Sequence, residues 1–246
     1  MDESAIPDAQ SLLDWLDLAE DLIPSSTLSI LPENRDAFVV QFGICIQAIR
    51  FGGAYAALWR IGRNREAVPL GRAALEHAIT AQWIFHRDGV ALMHAHARRK
   101  SHEFFTFMAE YLGDDELAAE AAVLGEHRPG MPNFWRHVLG DLDYGGMLAS
   151  SYRQMSQVTH VDGATIAAFA EFDGTNYNFV GRPEDPHATV NLYITANAVM
   201  LAAWVLGQLL ESPDIKPMLD DIAQRLRLAQ TAYDPDLGPT ESTAGK

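Results

Sequence analysis

The spacing of apolar residues is helical along almost the whole chain. Apolar positions recur at intervals of three and four residues, and no run of two-residue alternation is long enough to predict a sheet. We therefore expect an all-α fold, a multi-helix bundle of about seven to nine helices packed as a single domain. The predicted helices span residues 11–21, 33–61, 68–86, 90–112, 114–125, 147–161, 187–210 and 216–232. Loops are expected at 128–132 and 172–186, with a short turn at 165–171.

Local signals set the limits of the predicted domain. Ser11 is expected to cap the first helix, and Gly52-Gly53 is expected to bend the second. The N-terminal ten residues include three acids, and proline and glycine are frequent after Tyr233. We therefore predict a flexible N-terminus over 1–10, a helical bundle domain over 11–232 and a disordered C-terminal tail over 233–246.

Net charge limits the classes of partner. The chain has 246 residues and a net charge of −15, which disfavours RNA or DNA binding through a generally basic surface. The charge is uneven, because residues 50–100 hold nine Lys and Arg but three Asp and Glu, a local net charge of +6. This segment can bind an anionic ligand, although solvated helix faces and ion pairs would give the same composition.

Signals for a membrane or for export are weak. Residues 1–10 carry three acids and no basic start, so we expect a cytoplasmic protein. The single cysteine, Cys45, lies in an apolar run and is expected to be a small buried hydrophobe. Residues 188–210 contain no charge and are long enough to span a bilayer. Because Asn191 and Asn197 interrupt this run, we predict a buried core helix and no membrane.

Two charged residues fall within the apolar stripe of the helix predicted over 68–86. On a helical wheel Arg72 and Glu76 lie inside this stripe. A charged pair at i, i+4 on a buried face is costly unless the two side chains satisfy each other or meet a third partner. The pair is therefore either structural or part of a polar site. The stripe consists of Val68, Leu75, Ile79 and Trp83.

Polar residues of unusual types share one face of the helix predicted over 147–161. Tyr152, Arg153, Ser156 and His160 gather within about 100° on a wheel. Ser156 and His160 can come within hydrogen-bond reach, as a nucleophile and its base do when a third group orients the base. A solvated helix face would show the same segregation. The opposite side carries Met147, Met155, Val158 and Val161.

The order of these motifs resembles that in a family of uncharacterised bacterial helical proteins. The resemblance covers residues 40–210, and the family has no settled activity. It therefore implies a fold and a site location rather than a function. The motifs are Arg72-Ala-Ala-Leu-Glu76, Trp83-Ile-Phe, Arg98-Arg99 and Tyr152-Arg153-x-x-Ser156-x-x-x-His160.

The chain also resembles the HEPN superfamily of helical RNA-cleaving and nucleotide-binding domains. Their hallmark is an Arg followed, after four to six residues, by a His on the same helix; Arg153 and His160 have six residues between them. Gln154 stands where the superfamily usually has Asn, Asp or His. The resemblance implies metal-independent RNA cleavage: His160 takes the proton of a ribose 2′-hydroxyl, Arg153 stabilises phosphate charge, and Tyr152 or Ser156 positions the phosphate. Such domains often form homodimers, and the apolar content permits one.

Motifs for metal or cofactor chemistry are not found in the sequence. There is no phosphate-binding glycine loop, no Gly-x-Ser-x-Gly elbow and no His-Glu-x-x-His. His94 and His96 are two residues apart and point to different sides of a helix. We predict no metal site and no cofactor.

Three functions stay open, and the sequence does not decide whether the chain is an enzyme. The first is binding of an unknown small or anionic ligand, or a partner, in a polar pocket between helices. The second is a HEPN-like ribonuclease using Arg153 and His160, and the third is a hydrolase using Ser156 and His160. A pocket needs no aligned transition-state geometry, so it is the leading hypothesis. We expect its lining to include Arg72, Glu76, Tyr152, Ser156 and His160.

Overall fold

The computed structural model describes residues 6–22, 29–30, 32–125, 138–142, 146–159, 167–181 and 183–233. Over these residues the chain is all-α apart from one small hairpin, which confirms the predicted fold class. The described helices are α1 (Ala9–Asp21), α2 (Arg35–Arg60), α3 (Asn64–His86), α4 (Val90–Leu112), α5 (Asp115–Leu124), α6 (Leu139–Leu142), α7 (Met147–Thr159), α8 (Ala188–Leu209) and α9 (Ile215–Leu226). A 3-10 turn, Pro32–Asn34, precedes α2, and the hairpin consists of β1 (Ala170–Phe172) and β2 (Tyr177–Phe179).

The central helix of the bundle is α8. It has no charged residue, 16 of its 22 residues are buried, and α1, α2, α3 and α9 pack around it. By length and composition alone, α8 and the stretch Pro32–Arg60 could each cross a membrane, but 83% of the apolar window of α8 lies inside the bundle. Its burial is that of a core helix, as predicted. Cys45 on α2 is also fully buried, as predicted.

Glycines let α2 approach its neighbours closely. A Cβ atom on Gly52 would overlap the Val199 side chain of α8 and would lie 3.2 Å from Leu16 Cδ2 of α1. The helix runs without interruption through Gly52-Gly53. These glycines therefore permit close helix packing, and the bend stays a prediction.

Several helix ends differ from the prediction for local reasons. The first helix begins at Ala9, because Asp8 rather than Ser11 is its cap: the Asp8 carboxylate accepts hydrogen bonds from Ser11 N at 2.9 Å and from Ser11 Oγ at 2.7 Å. The third helix begins four residues earlier than predicted and contains Pro69 within its second turn. The last helix ends at Leu226, since Arg227 adopts a left-handed conformation with φ 52°.

The limits of α4 and α5 agree with the prediction. Gly113 ends α4 in the left-handed conformation with φ 67°. Asp114 then caps α5, because its carboxylate accepts hydrogen bonds from Glu116 N and Leu117 N at 2.9 and 3.2 Å. Gly125 ends α5. Glycine and aspartate are strong local signals, so both ends could be found from the sequence.

The segment predicted as an irregular loop, 172–186, begins with a β-hairpin. Strands β1 and β2 pair antiparallel, with Phe172 opposite Tyr177. Asp173 closes the turn, accepting hydrogen bonds from Thr175 N at 2.9 Å and Asn176 N at 2.7 Å, and these bonds lower the pKa of its carboxyl. Strands of three residues are too short to show alternation in the sequence. The predicted loop at 128–132, the end of the helix at 160–161 and most of the predicted tail lie outside the described residues.

Candidate functional site

Arg72 and Glu76 on α3 meet Tyr152 on α7. Arg72 Nη2 lies 3.2 Å from Glu76 Oε1 and also donates a hydrogen bond to the Tyr152 hydroxyl. The Arg72 guanidinium lies over the Tyr152 ring, 4.6 Å from its centroid. Burial raises the pKa of Tyr152, and its hydrogen bond to the Glu76 carboxylate raises it further, while Arg72 acts in the opposite direction. The three residues therefore form one polar cluster that joins two helices.

This cluster lies at the edge of the core. Val68, Leu75 and Ile79 are buried, which confirms the predicted apolar stripe. The side chains of Arg72 and Glu76 are 19% and 36% exposed, so they do not project into the core as the helical wheel suggested. A wheel gives the direction of a Cβ atom, whereas long charged side chains bend toward the solvent at the rim.

The predicted division of α7 into a polar and an apolar face is partly wrong. Tyr152 is buried together with Leu148 and Met155, and these three side chains form the inner face of α7. Met147, expected on the apolar side, is exposed. Arg153 is exposed, as a residue on a polar face should be. A tyrosine that buries its ring and uses its hydroxyl at the rim can belong to either face.

Ser156 uses its hydroxyl in a bond to the backbone. Its Oγ donates to the carbonyl of Tyr152, one turn earlier, at 2.7 Å. A nucleophilic serine donates this hydrogen to a general base instead. His160, the expected base, lies outside the described residues, so its geometry with Ser156 and with Arg153 is not part of the structure.

A cleft opens beside the end of α7. Two adjoining cavities, of about 660 and 750 Å³, share the lining residues Arg65, Val158, Pro183, Glu184 and Asp185. We call this combined space the Arg65 cleft. Its walls are the start of α3, the end of α7, the residues that flank the hairpin and the segment that leads into α8. Gln157 also lines it, whereas Arg72, Glu76, Tyr152 and Ser156 line neither cavity.

Asp185 connects the cleft to a buried polar chain. Although buried, its carboxylate accepts hydrogen bonds from His187 N at 2.9 Å and from Asn191 Nδ2 at 2.8 Å. Asn191 in turn accepts a hydrogen bond from Gln154 Nε2 on α7 at 3.1 Å. These bonds fix the segment before α8 against α7, and they hold one carboxylate at the cleft wall.

A buried tyrosine lies close enough to Asp185 to be affected by its charge. Tyr55 on α2 is fully buried, and its hydroxyl has no hydrogen-bond partner among the described residues. Burial raises the pKa of Tyr55, and the negative charge of Asp185 raises it further. The core behind the cleft therefore keeps this phenol neutral.

Arg65 is the arginine that lines both cavities of the cleft, while Arg63 lines one of them. Arg65 is half-buried, and its guanidinium lies over the Phe169 ring at 5.7 Å from the centroid. It forms no ion pair with a carboxylate of the described residues, whereas the neighbouring Arg63 pairs with Glu66 at 3.1 Å. Contact with an aromatic ring orients a guanidinium and leaves its hydrogen-bond donors available.

The sequence contained signals for these residues that did not identify them as a site. Asn191 interrupts the apolar run, and Gln154 departs from the HEPN pattern. Arg65 belongs to the +6 segment. Asp185 stands between two prolines in what reads as a loop. Nothing in the chain order shows that residues so far apart surround one cleft.

Comparisons with protein-family models, with curated proteins and with solved structures find no match to this chain. A function for this chain is therefore inferred from the chemistry of the residues around the cleft and on α7.

Proposed function

We propose that the protein binds a small polar ligand with an anionic group in the Arg65 cleft. The observation that carries this proposal is Arg65 itself, a half-buried cation that lines both cavities and forms no ion pair with a described carboxylate. A phosphate or carboxylate group of a ligand would supply the missing negative charge through charge-assisted hydrogen bonds. The cleft volume is in the range of small-molecule sites.

The acids of the cleft define the rest of the ligand. A carboxylate can accept about four hydrogen bonds, and Asp185 accepts one from His187 N and one from Asn191. The exposed Glu184 adds a second carboxylate, and Glu66, which pairs with Arg63 at 3.1 Å, adds a third. A ligand that also carries hydroxyl or amino donors matches this wall, whereas a bare polyanion would be repelled by it. The proposed ligand is thus small and polar, with one anionic end.

The Arg72, Glu76 and Tyr152 cluster supports the cleft from a distance. It fixes α7 against α3, and the next turn of α7 places Gln157 in the cleft wall. We propose that these three residues position the wall, with the direct ligand contacts made by Arg65 and Asp185.

Ligand binding can be tested by thermal unfolding with a set of small phosphates and carboxylates, including inorganic phosphate, nucleoside monophosphates and amino acids. A ligand at about 100 times its Kd stabilises the folded state by about 2.7 kcal/mol. We expect at least one compound to raise the Tm. Arg65→Ala should weaken its binding about 10-fold or more, since a hydrogen bond to a charged group contributes about 1.5–3 kcal/mol. Calorimetry would measure the affinities.

Arg225→Ala is the matched control, because Arg225 is exposed on α9 and does not line the cleft. It should bind the same compound with unchanged affinity. An equal loss in both variants, or no stabilising compound across the set, would contradict the proposal.

A second candidate is the HEPN-like ribonuclease. The observation in its favour is that Arg153 is exposed, pairs with no described carboxylate, and lies one turn before Gln157 at the cleft. A phosphate of RNA could bind between them. We expect Arg153→Ala and His160→Ala to abolish cleavage of single-stranded RNA by the purified protein while leaving the Tm unchanged. Wild-type protein that is inactive on several RNAs would exclude this candidate.

A further inference from the structure

One stripe of aromatic side chains on α4 is exposed to solvent. Phe104, Phe107 and Tyr111 follow one another at helical spacing and are 57%, 62% and 76% exposed. The Phe107 and Tyr111 rings stack with centroids 6.2 Å apart and an interplanar angle of 10°. Of the 23 residues of α4, only Ala109 is buried. A contiguous patch of this kind marks an interaction surface.

The described part of the chain does not cover this stripe. The N-terminal end of α4 packs on the core through Val90, Leu92 and Met93. The rest of the helix packs mainly on α5, where Arg98 Nη2 donates to Leu124 O at 3.1 Å and His102 Nδ1 lies 2.9 Å from Ala121 O. The helices α4 and α5 therefore form a hairpin, and the aromatic stripe is on its outer surface.

We propose that the stripe is the interface of a homodimer in which two α4 helices pack antiparallel, with the two-fold axis beside Phe107. In this arrangement Phe107 meets its own copy, and residues equally far before and after it lie opposite each other. Lys100 then faces the turn that carries Asp114 and Asp115. The same contact forms twice, once on each side of the axis.

Charge along the stripe favours a second copy over another partner. One end carries Arg98, Arg99 and Lys100 together with Glu103, which pairs with Lys100 at 2.7 Å and with Arg99 at 3.6 Å, so this end has a net charge of +2. The other end carries Glu110, Asp114 and Asp115, a net charge of −3. The surface is therefore self-complementary only when the helices are antiparallel. Two chains of net charge −15 repel each other in general, so local pairing of this kind is needed for association.

The exposed area of the three rings is about half of what a standard interface buries in each partner. Since an aromatic side chain has about 150–250 Å² to bury, the exposed parts of the three rings supply about 400 Å² in each copy. A standard interface buries about 800 Å² per partner. The remainder can come from the side chains that flank the stripe, such as the aliphatic part of Lys100.

Sedimentation analysis of the full chain over a concentration series tests the dimer. We expect wild type to dimerise in the micromolar range or below and Phe107→Glu to raise the dissociation constant about 100-fold or more, because it buries two like charges at the axis. Phe179→Glu is the matched control, since Phe179 is 83% exposed on β2 and lies outside the stripe, and it should dimerise like wild type. A monomeric wild type overturns the proposal, as does a dimer that Phe107→Glu leaves intact.

Two further variants define the geometry. Phe107→Cys should form a symmetric disulfide between chains on mild oxidation, while Phe179→Cys should not; the native Cys45 is buried and does not compete. Lys100→Glu should weaken the dimer about 10-fold, and adding Asp115→Lys should restore it; Asp115 is chosen because Asp114 caps α5. If Phe107→Cys forms no disulfide between chains and Asp115→Lys does not restore the dimer, the antiparallel arrangement is overturned even if the protein is dimeric.

Discussion

Arg72 shows how a single residue can be located from sequence while its role depends on a distant partner. Its position on the helical stripe of α3 follows from the spacing of apolar residues. Its hydrogen bond to Tyr152 joins positions 80 residues apart. The buried ring and the hydroxyl of Tyr152 contact the Arg72 guanidinium only because α7 packs on α3. The polar cluster is thus a property of the packed helices.

Removing the Tyr152 hydroxyl should destabilise the fold. Tyr152→Phe keeps the ring and the contact with the guanidinium but removes the hydrogen bonds to Arg72 and Glu76. We expect a loss of about 1–2 kcal/mol in the free energy of unfolding, measured in urea, given that the partners are partly solvated. Arg225→Ala, at an exposed residue of α9 away from the cluster, should change stability by less than about 0.5 kcal/mol. Equal effects of the two substitutions would show that the cluster contributes nothing to stability.

At the scale of elements, small residues decide how closely the helices pack. Gly71 on α3 lies where three elements converge: a Cβ atom there would overlap Thr195 Oγ1 of α8, lie 2.7 Å from Met155 Cε of α7 and lie 3.1 Å from the Tyr55 ring of α2. Thr195 itself is buried and donates to Asn191 O at 2.8 Å. Glycine is therefore required at this crossing by close approach rather than by backbone conformation.

Two Gly→Ala substitutions should have opposite signs. Gly71→Ala forces neighbouring helices apart, and we expect it to lower the free energy of unfolding by about 1–3 kcal/mol. Gly43→Ala on the exposed side of α2 meets no atom within 4 Å and should raise it by about 0.5–1 kcal/mol, because alanine loses less backbone entropy in a helix. Urea unfolding of both variants checks the prediction. A stabilising Gly71→Ala would contradict the close approach.

At the scale of the whole molecule, the segment after α9 closes the bundle by polar contacts. Buried Gln82 on α3 donates to Leu201 O and to Gln230 O, both at 3.0 Å, and accepts from Ala232 N at 3.2 Å. The ring of His86 stacks between Trp204 and Tyr233, with centroids 5.8 and 4.8 Å away. Residues near the C-terminal end of the described chain are thereby held against the end of α3 and the second half of α8.

Stability should fall in mild acid because of His86. Burial, and then the adjacent charge of Arg87, lowers the pKa of His86 below its ordinary value of 6.5. In the folded state His86 therefore resists protonation, whereas the unfolded chain takes up the proton as pH falls through about 6.5. The free energy of unfolding should decrease from pH 7.5 to pH 5.5, measured in urea.

His86→Gln should reduce this pH dependence, and His94→Gln, at an exposed histidine of α4, should retain it. Part of the slope should remain in His86→Gln, because the pKa of His96 is also lowered, by burial and by Arg99. Parallel pH profiles for wild type and His86→Gln would contradict this role of His86.

The features that could be predicted from the sequence are those that depend on neighbours within a few residues. The helical class, the course of α4 and α5 with their glycine and aspartate ends, and the buried stripe of α3 all follow from spacing and capping. The sequence did not predict the short strands, the Asp8 cap or the early start of α3. Each of these features involves only a few residues, and so few residues give a weak sequence pattern. Tertiary contacts stabilise these features instead.

Which polar residues meet depends on how the helices pack. It joined Arg72 and Glu76 to Tyr152, placed them at the rim, and formed the Arg65 cleft from segments that are separated by up to about 120 positions. A helical pattern specifies which side of each helix is buried but leaves open which helix covers it. The covering helix is selected by side-chain length, by close approach at glycines and by the pairing of buried polar groups. All three depend on residues that are distant in the chain.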